Sequence, residues 1–268
     1  MNNIVWMVFD SCRYDALVAA DTPNIDRLGA VEKRFSYASW TSPSHYVYLM
    51  GLMPHKSPRH VFASEIYKEE YSRWRERVGS RELSFKSFVP HLSLPRRLRA
   101  LGYRSIGRVS LPVLNQFTSI GLDFDDYRLM DSHADFRAMV EGVELFADDL
   151  RFYFLNIGET HYPYMLEDEL PHLSGVHGVV GKMDEGGGGS PSEPFDGEML
   201  QRLRAQQVKC VEYLDELVGE LFGKCPANTH FIVTSDHGEL FGEDGYFGHG
   251  PIFHEKVFEV PFVEGRLQ

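Results

Sequence analysis

With 268 residues, 43% of them hydrophobic, the chain is long enough to bury a sizeable core, and one large α/β domain is favoured over two small ones. Its 39 acidic residues against 27 basic give a net charge of −12, which argues against a nucleic-acid surface because phosphate backbones would be repelled; a metal site could absorb part of that charge. The apolar start MNNIVWMVFD is too short for a membrane helix and has neither a basic leader nor a small-residue cleavage site, so cytoplasmic residence is the expectation.

In chain order, residues 4–9 form a near-continuous apolar run closed by Asp10, as expected of a buried strand in a mainly parallel sheet. A site is expected at the carboxyl edge of such a sheet. Residues 34–38 read as a short extended piece. Residues 45–50 open a helix behind the turn Thr41-Ser42-Pro43-Ser44, whose hydroxyls can cap free N–H groups. Residues 92–101 read as a helix ended by Gly102, and 103–109 as the strand after it. A second such step runs from a helix over 135–147 to a strand over 151–157. In the third, Leu200, Leu203, Cys210, Val211, Leu214, Leu217, Val218 and Leu221 keep a helical apolar stripe, and a strand over 230–234 runs on to Asp236.

This alternation predicts a layered α/β/α domain with a mostly parallel central sheet over residues 1–268. From Tyr164 to Glu198 the periodicity is lost, and GGGGSPSEP (186–194) cannot pack. The segment at about 165–197 therefore reads as a flexible insertion, either a lid behind His161 or an indifferent surface loop. Cys12, Cys210 and Cys225 are odd in number and lack CxxC spacing, so neither a disulfide framework nor a thiolate zinc knot is expected.

Three polar clusters follow these elements: Asp10-Ser11-Cys12-Arg13, Thr41-Ser42-Pro43-Ser44-His45 and Ser235-Asp236-His237-Gly238-Glu239. Each alone reads as a cap or a surface turn. Together they supply two carboxylates, an imidazole and a hydroxyl, a four-point set for a hard or borderline divalent cation. Coordination would also activate the threonine, since a dication stabilises an alkoxide as it does hydroxide. A Ser-His-Asp arrangement is less attractive because no GxSxG elbow is present.

The segments VFDSCRYDA, TPNIDRLG, TSPSHYVYLMGLMPH, FLNIGETHYPY and TSDHGELFGEDGYFGHG, in this order, resemble the alkaline phosphatase superfamily on its sulfatase and phosphodiesterase side; FDDYRL is similar to a loop of that family. The resemblance implies that Asp10, Asp236 and His237 bind the metal and that Thr41 is both ligand and nucleophile. It places His161 and His249 where the transferred group or a second ion is often bound. His45 stands where sulfatases carry an arginine, and it either orients the Thr41 segment or caps its helix. Arg13 either contacts the site or braces the first loop, and Glu159 reads as a solvated loop carboxylate.

The departures narrow the expectation. Sulfatases convert a cysteine or serine of a C-x-P-x-R motif to formylglycine, and Thr41 cannot be so converted. Ser11 replaces the second aspartate of the sulfatase pattern, which argues against a calcium-type carboxylate cage, and the D-x-x-x-H element of two-zinc members is not evident. The resemblance thus implies one tight site for Mn²⁺ or Zn²⁺, with Mg²⁺ or Ca²⁺ as further candidates, and a weaker second site left open. The expected activity is hydrolysis of a small-molecule phosphate mono- or diester, or a phosphonate ester, through a phosphothreonine. Transfer to an alcohol acceptor, sulfate ester hydrolysis and a non-catalytic member are the competing readings. Most of the family's C-terminal subdomain is expected to be lacking, and the segments 62–87 and 164–198 are expected to form the leaving-group pocket. No run reaches the ~20 apolar residues of a membrane span.

Overall fold

The chain is described from a computed structural model covering residues 2–51, 93–165 and 197–267, with positions 69, 72, 73, 75–77 and 79 between them. Most of 62–87 and nearly all of the expected insertion at 165–197, including its glycine-rich stretch, lie outside the described residues.

Strand β1 (Asn3–Phe9) is apolar on both faces, which fits it for the middle of a sheet covered on both sides. Val5, Met7 and Phe9 pack into one core and Val8 into the other, with Trp6 against it. Strands β2 (Glu32–Phe35), β3 (Arg104–Val109), β4 (Asp126–Leu129), β5 (Arg151–Ile157) and β6 (Thr229–Thr234) are followed by the short pair β7 (Leu240–Phe241) and β8 (Phe247–Gly248), and then by β9 (Glu259–Gly265). Among the described residues the main sheet runs β2-β9-β6-β1-β5-β3-β4. Strands β6, β1, β5, β3 and β4 are mutually parallel, β9 runs antiparallel to β6, and the edge strand β2 runs antiparallel to β9.

Helices α1 (Tyr14–Ala19), α4 (Phe136–Glu141) and α5 (Gly197–Lys224) cover one face, and α2 (Thr41–Met50) and α3 (Leu94–Ala100) the other; α6 (Glu255–Phe258) leads into β9. The α/β/α architecture expected from helix-strand alternation is therefore present. All eight stripe residues of α5 are buried. Between them lie two buried polar residues, Gln207 and Asp215, each with a specific partner described below.

Four local expectations need correction. Helix α2 begins at Thr41, not His45, so the Thr-Ser-Pro-Ser stretch is its first turn and supplies no side-chain cap. Proline fits there because first-turn N–H groups have no intrahelical acceptor to lose. Helix α4 stops at Glu141, short of 147, and Gly142 follows as its cap. The extended piece expected over 34–38 lies at 32–35 as exposed edge strand β2. FDDYRL contains strand β4, which pairs with β3. Strand β9 had no counterpart in the sequence reading, because its stretch EVPFVEG carries a proline that weakens the strand signal.

Candidate functional site

Parallel pairing decides which residues meet. β1 and β6 align Val8 with Thr234, so chain ends two residues further on bring Asp10 beside Asp236 at the carboxyl edge. Ser11 takes a left-handed turn, φ 61°, and its N–H donates to Asp236 Oδ1 at 3.1 Å while its hydroxyl donates to Asp10 Oδ1 at 3.2 Å. Asn156, the penultimate residue of β5, donates to Asp10 Oδ2 at 2.9 Å. Gly238 follows His237 because a Cβ there would lie 2.0 Å from the Lys256 carbonyl oxygen.

Helix α2 arrives from the other face. Thr41, Ser44, His45 and Tyr48 occupy one side at i, i+3, i+4 and i+7. Ser44 Oγ donates to the Asp236 carbonyl at 2.8 Å and Tyr48 Oη to the Ser235 carbonyl at 2.6 Å, and Ser36 Oγ also donates to the Asp236 carbonyl. These bonds hold α2 against the end of β6 and bring Thr41 Oγ1 to 3.3 Å from His237 Nε2.

The ligand atoms of Asp10, Asp236 and His237 all lie within 4.8 Å of one another, and the three residues are fully buried. His237 Nδ1 bonds the Gly238 carbonyl at 2.9 Å, which puts its proton on Nδ1 and the lone pair on Nε2. That lone pair faces Asp236 Oδ2 at 3.3 Å, Asp10 Oδ1 at 3.9 Å and the Thr41 hydroxyl. Asp236 Oδ2 has no hydrogen-bond partner among the described residues. A lone pair and two buried carboxylate oxygens pointed at one another repel, and only a cation or added protons relieve them. Burial, then the charge of Asp236, raises the pKa of Asp10; burial raises that of Asp236 and lowers that of His237. The donor set of two carboxylates, one imidazole and one hydroxyl fits a divalent ion.

The remaining histidines differ. His161 and His249 sit beside this group: the ring centroids of His237 and His249 are 4.2 Å apart and those of His249 and His161 5.2 Å. His45 does not line an open face, contrary to its expected place among substrate-binding residues. Its ring is fully buried against Phe154 and Tyr48, and its Nδ1–H donates to the Thr41 carbonyl at 2.8 Å. Burial lowers its pKa to about 4, so it is neutral at neutral pH. Of its two readings, orientation of the Thr41 segment fits this contact.

Arg13 braces the first loop. It is 2% exposed, pairs with Asp15 and Glu243, and donates to the Glu239 carbonyl. Glu159 is no solvated carboxylate: it is 1% exposed and accepts from Phe136 N at 2.8 Å at the start of α4. Burial raises its pKa to about 7. Cys12, Cys210 and Cys225 are free, in keeping with the absence of a disulfide framework.

Sequence reasoning overlooked Gln207, Glu239 and Tyr164 as site residues. Gln207 Nε2 donates to the Ser11 and Thr160 carbonyls, both at 3.0 Å, tying the loops after β1 and β5 together. A lone glutamine inside an apolar helical stripe was the available signal. Glu239 is 1% exposed and its Oε1 lies 3.0 Å from His249 Nδ1, while Tyr164 Oη donates to Glu239 Oε2.

No helix among the described residues is long and apolar enough to cross a membrane. No curated protein matches the chain by sequence. Solved structures share its fold at low identity. An alkaline phosphatase superfamily protein from Vibrio parahaemolyticus is 15% identical with a TM-score of 0.53, over 98% of this chain and 59% of the other. The phosphonate monoester hydrolase of Agrobacterium radiobacter is 16% identical with a TM-score of 0.56, over 98% and 68%. The C-terminal periplasmic domain of EptC from Escherichia coli, in complex with zinc, is 12% identical with a TM-score of 0.53, over 100% and 73%. The chain thus spans between 59% and 73% of the length of these three. A sequence model of the sulfatase family matches residues 2–263, and with nearly its whole length so covered, the chain belongs to the sulfatase family.

Proposed function

We propose that this chain hydrolyses phosphate mono- or diesters, or phosphonate esters, through a phosphothreonine on Thr41. The observation that carries the reading is the approach of the Thr41 hydroxyl to the buried Asp10, Asp236 and His237 group. Asp10, Asp236, His237 and Thr41 would hold one divalent ion, which when bound would lower the pKa of the hydroxyl and offset charge on the ester. Zinc or manganese is the first choice to test, zinc being the ion of the EptC neighbour.

The chain's own residues account for the rest. Thr41 is the first residue of the ten-residue helix α2, where free N–H groups and the helix dipole favour negative charge on its oxygen and on a phosphoryl group beside it. Its oxygen attacks phosphorus as the bond to the leaving oxygen breaks, and water then releases the group. His161 and His249 contact the transferred group, and His45 fixes the backbone that carries the nucleophile. A threonine where sulfatases need a formylglycine precursor supports phosphorus over sulfur. The neighbours include a periplasmic domain and so lend no weight to cytoplasmic residence.

The test is a screen of aryl phosphate, phosphodiester, phosphonate and sulfate esters with each metal added in turn, on wild type and Thr41→Ala. Turnover of a phosphorus ester that falls on the order of 10³-fold or more in Thr41→Ala, with the fold retained, is expected. Unchanged turnover would overturn the assignment, and release of the leaving group only when an alcohol is present, with no hydrolysis product, would make the chain a transferase.

A further inference from the structure

Asn156 is fully buried and bonded at both ends of its amide. The sheet places it there: β5 lies between β1 and β3, and Asn156 aligns with Val8 on one side and Val109 on the other. Its Oδ1 accepts from the Leu111 N–H at 3.3 Å and shares that of Ser110, which also reaches the Asn156 main-chain carbonyl. Backbone N–H groups only donate, so this atom is the amide oxygen. The amide nitrogen is therefore the atom that faces Asp10 Oδ2, at 2.9 Å.

Asp10 is thereby closed at one oxygen. Oδ2 is taken by Asn156, while Oδ1, with the Ser11 hydroxyl 3.2 Å away, faces His237 Nε2 at 3.9 Å. Asp236 is closed by different donors: the N–H groups of Ser11 and His237 sit on Oδ1 at 3.1 and 3.0 Å, and Oδ2 faces His237 Nε2 at 3.3 Å. Each carboxylate so held offers a single oxygen, and the metal set comes to four atoms: Asp10 Oδ1, Asp236 Oδ2, His237 Nε2 and Thr41 Oγ1. Zinc is commonly satisfied by four nitrogen, oxygen or sulfur ligands, whereas Ca²⁺ takes about six to eight oxygens, bidentate carboxylates among them.

We propose that Asn156 sets the metal selectivity of the site by holding Asp10 to single-oxygen ligation, which favours a four-coordinate ion such as Zn²⁺ over Ca²⁺. This rests on the metal set of the function proposed above and not on the phosphothreonine. Backbone groups close Asp236, so no substitution of a side chain opens it. Asp10 is closed by a side chain. Without that donor, Oδ2 can turn to the ion and supply the second carboxylate oxygen that a larger, oxygen-seeking cation uses. Asn156 is a positioning residue, acting on the ion through Asp10.

The test reads metal binding with no ester present. Wild type, Asn156→Ala and Asn156→Asp are titrated with Zn²⁺ and Ca²⁺ by calorimetry, and the visible absorption of their Co²⁺ complexes is recorded. Asn156→Asp still accepts from the Ser110 and Leu111 N–H groups but has no amide to donate to Asp10, so it keeps the loop anchored while removing the donor. The ratio of Zn²⁺ to Ca²⁺ affinity is expected to fall about 10- to 100-fold in both variants. Wild type should show the intense bands of four-coordinate Co²⁺, weakened in the variants as the coordination number rises. An unchanged ratio with unchanged bands, in a variant that melts cooperatively in chelator, overturns the inference, as do six-coordinate Co²⁺ bands in wild type. A wild type that takes up none of the three ions overturns the metal set itself, a result distinct from either.

Discussion

Two buried aspartates, one on either side of the fold's function, divide its polar interior. Asp215 on α5 is 2% exposed and saturated: it accepts from Asn24 N at 3.1 Å, Asn24 Nδ2 at 2.9 Å and Ile25 N at 2.8 Å. Asp236 is fully buried and half satisfied, with two backbone N–H groups on Oδ1 and no partner for Oδ2 among the described residues. A buried carboxylate with its donors filled is a structural clamp, whereas one facing another carboxylate and an imidazole lone pair is left with an unbalanced electrostatic repulsion. His45 belongs with Asp236 in this respect, since its Nε2 is buried without a hydrogen-bond partner among the described residues.

The contrast breaks first at metal binding. Asp236→Asn should weaken Zn²⁺ or Mn²⁺ at least ~100-fold by calorimetry, more than outer-shell changes usually cost, while Asp215→Asn should leave the affinity within about twofold. Comparable losses in both would erase the distinction. Stability in chelator should run the other way. Asp215→Ala strands three donors and should cost about 3 kcal/mol in urea unfolding, and Asp236→Asn, which keeps an acceptor and removes a buried charge, should be neutral or stabilising.

A pH series sharpens the comparison with a similar effect. His45 is neutral in the fold down to about pH 4, but its unfolded counterpart takes a proton below its ordinary pKa of 6.5. The unfolded chain therefore binds more protons in that window, and stability present above pH 6.5 is lost as the pH falls toward 4. At 1.36 kcal/mol per pH unit the loss approaches about 3 kcal/mol. His45→Asn in chelator should flatten the slope by about one proton relative to wild type, and an unchanged slope would mean the ring is protonated in the fold. The smallest effect concerns Glu159, whose Oε1 accepts from Phe136 N while its Oε2 is buried without a partner among the described residues. Glu159→Ala should cost about 1 kcal/mol through the lost cap on α4 and leave turnover within about twofold.

Much of the site could be read from the chain before any fold was known, for reasons that are local. Asp10 and Asp236 follow apolar strands, and the Asp-His-Gly and Thr-Ser-Pro-Ser-His stretches carry chemistry in a specific order. Glu159 and His45 were harder, because burial decides their roles and nothing in their neighbours announces it. A glutamate in a loop reads as solvated until its carboxylate is found on the first N–H of a helix.

The sequence by itself determined the alternation of helices and strands, hence the layered architecture, and the residue types able to bind a dication, because periodicity and side-chain chemistry are properties of short stretches. Only the tertiary structure decided that β1 and β6 are parallel neighbours in a register that sets Asp10 beside Asp236. It alone fixed α2 by Ser44 and Tyr48 so that Thr41 meets His237. Contacts across some 200 residues depend on strand order and packing against both sheet faces, and no local pattern encodes them.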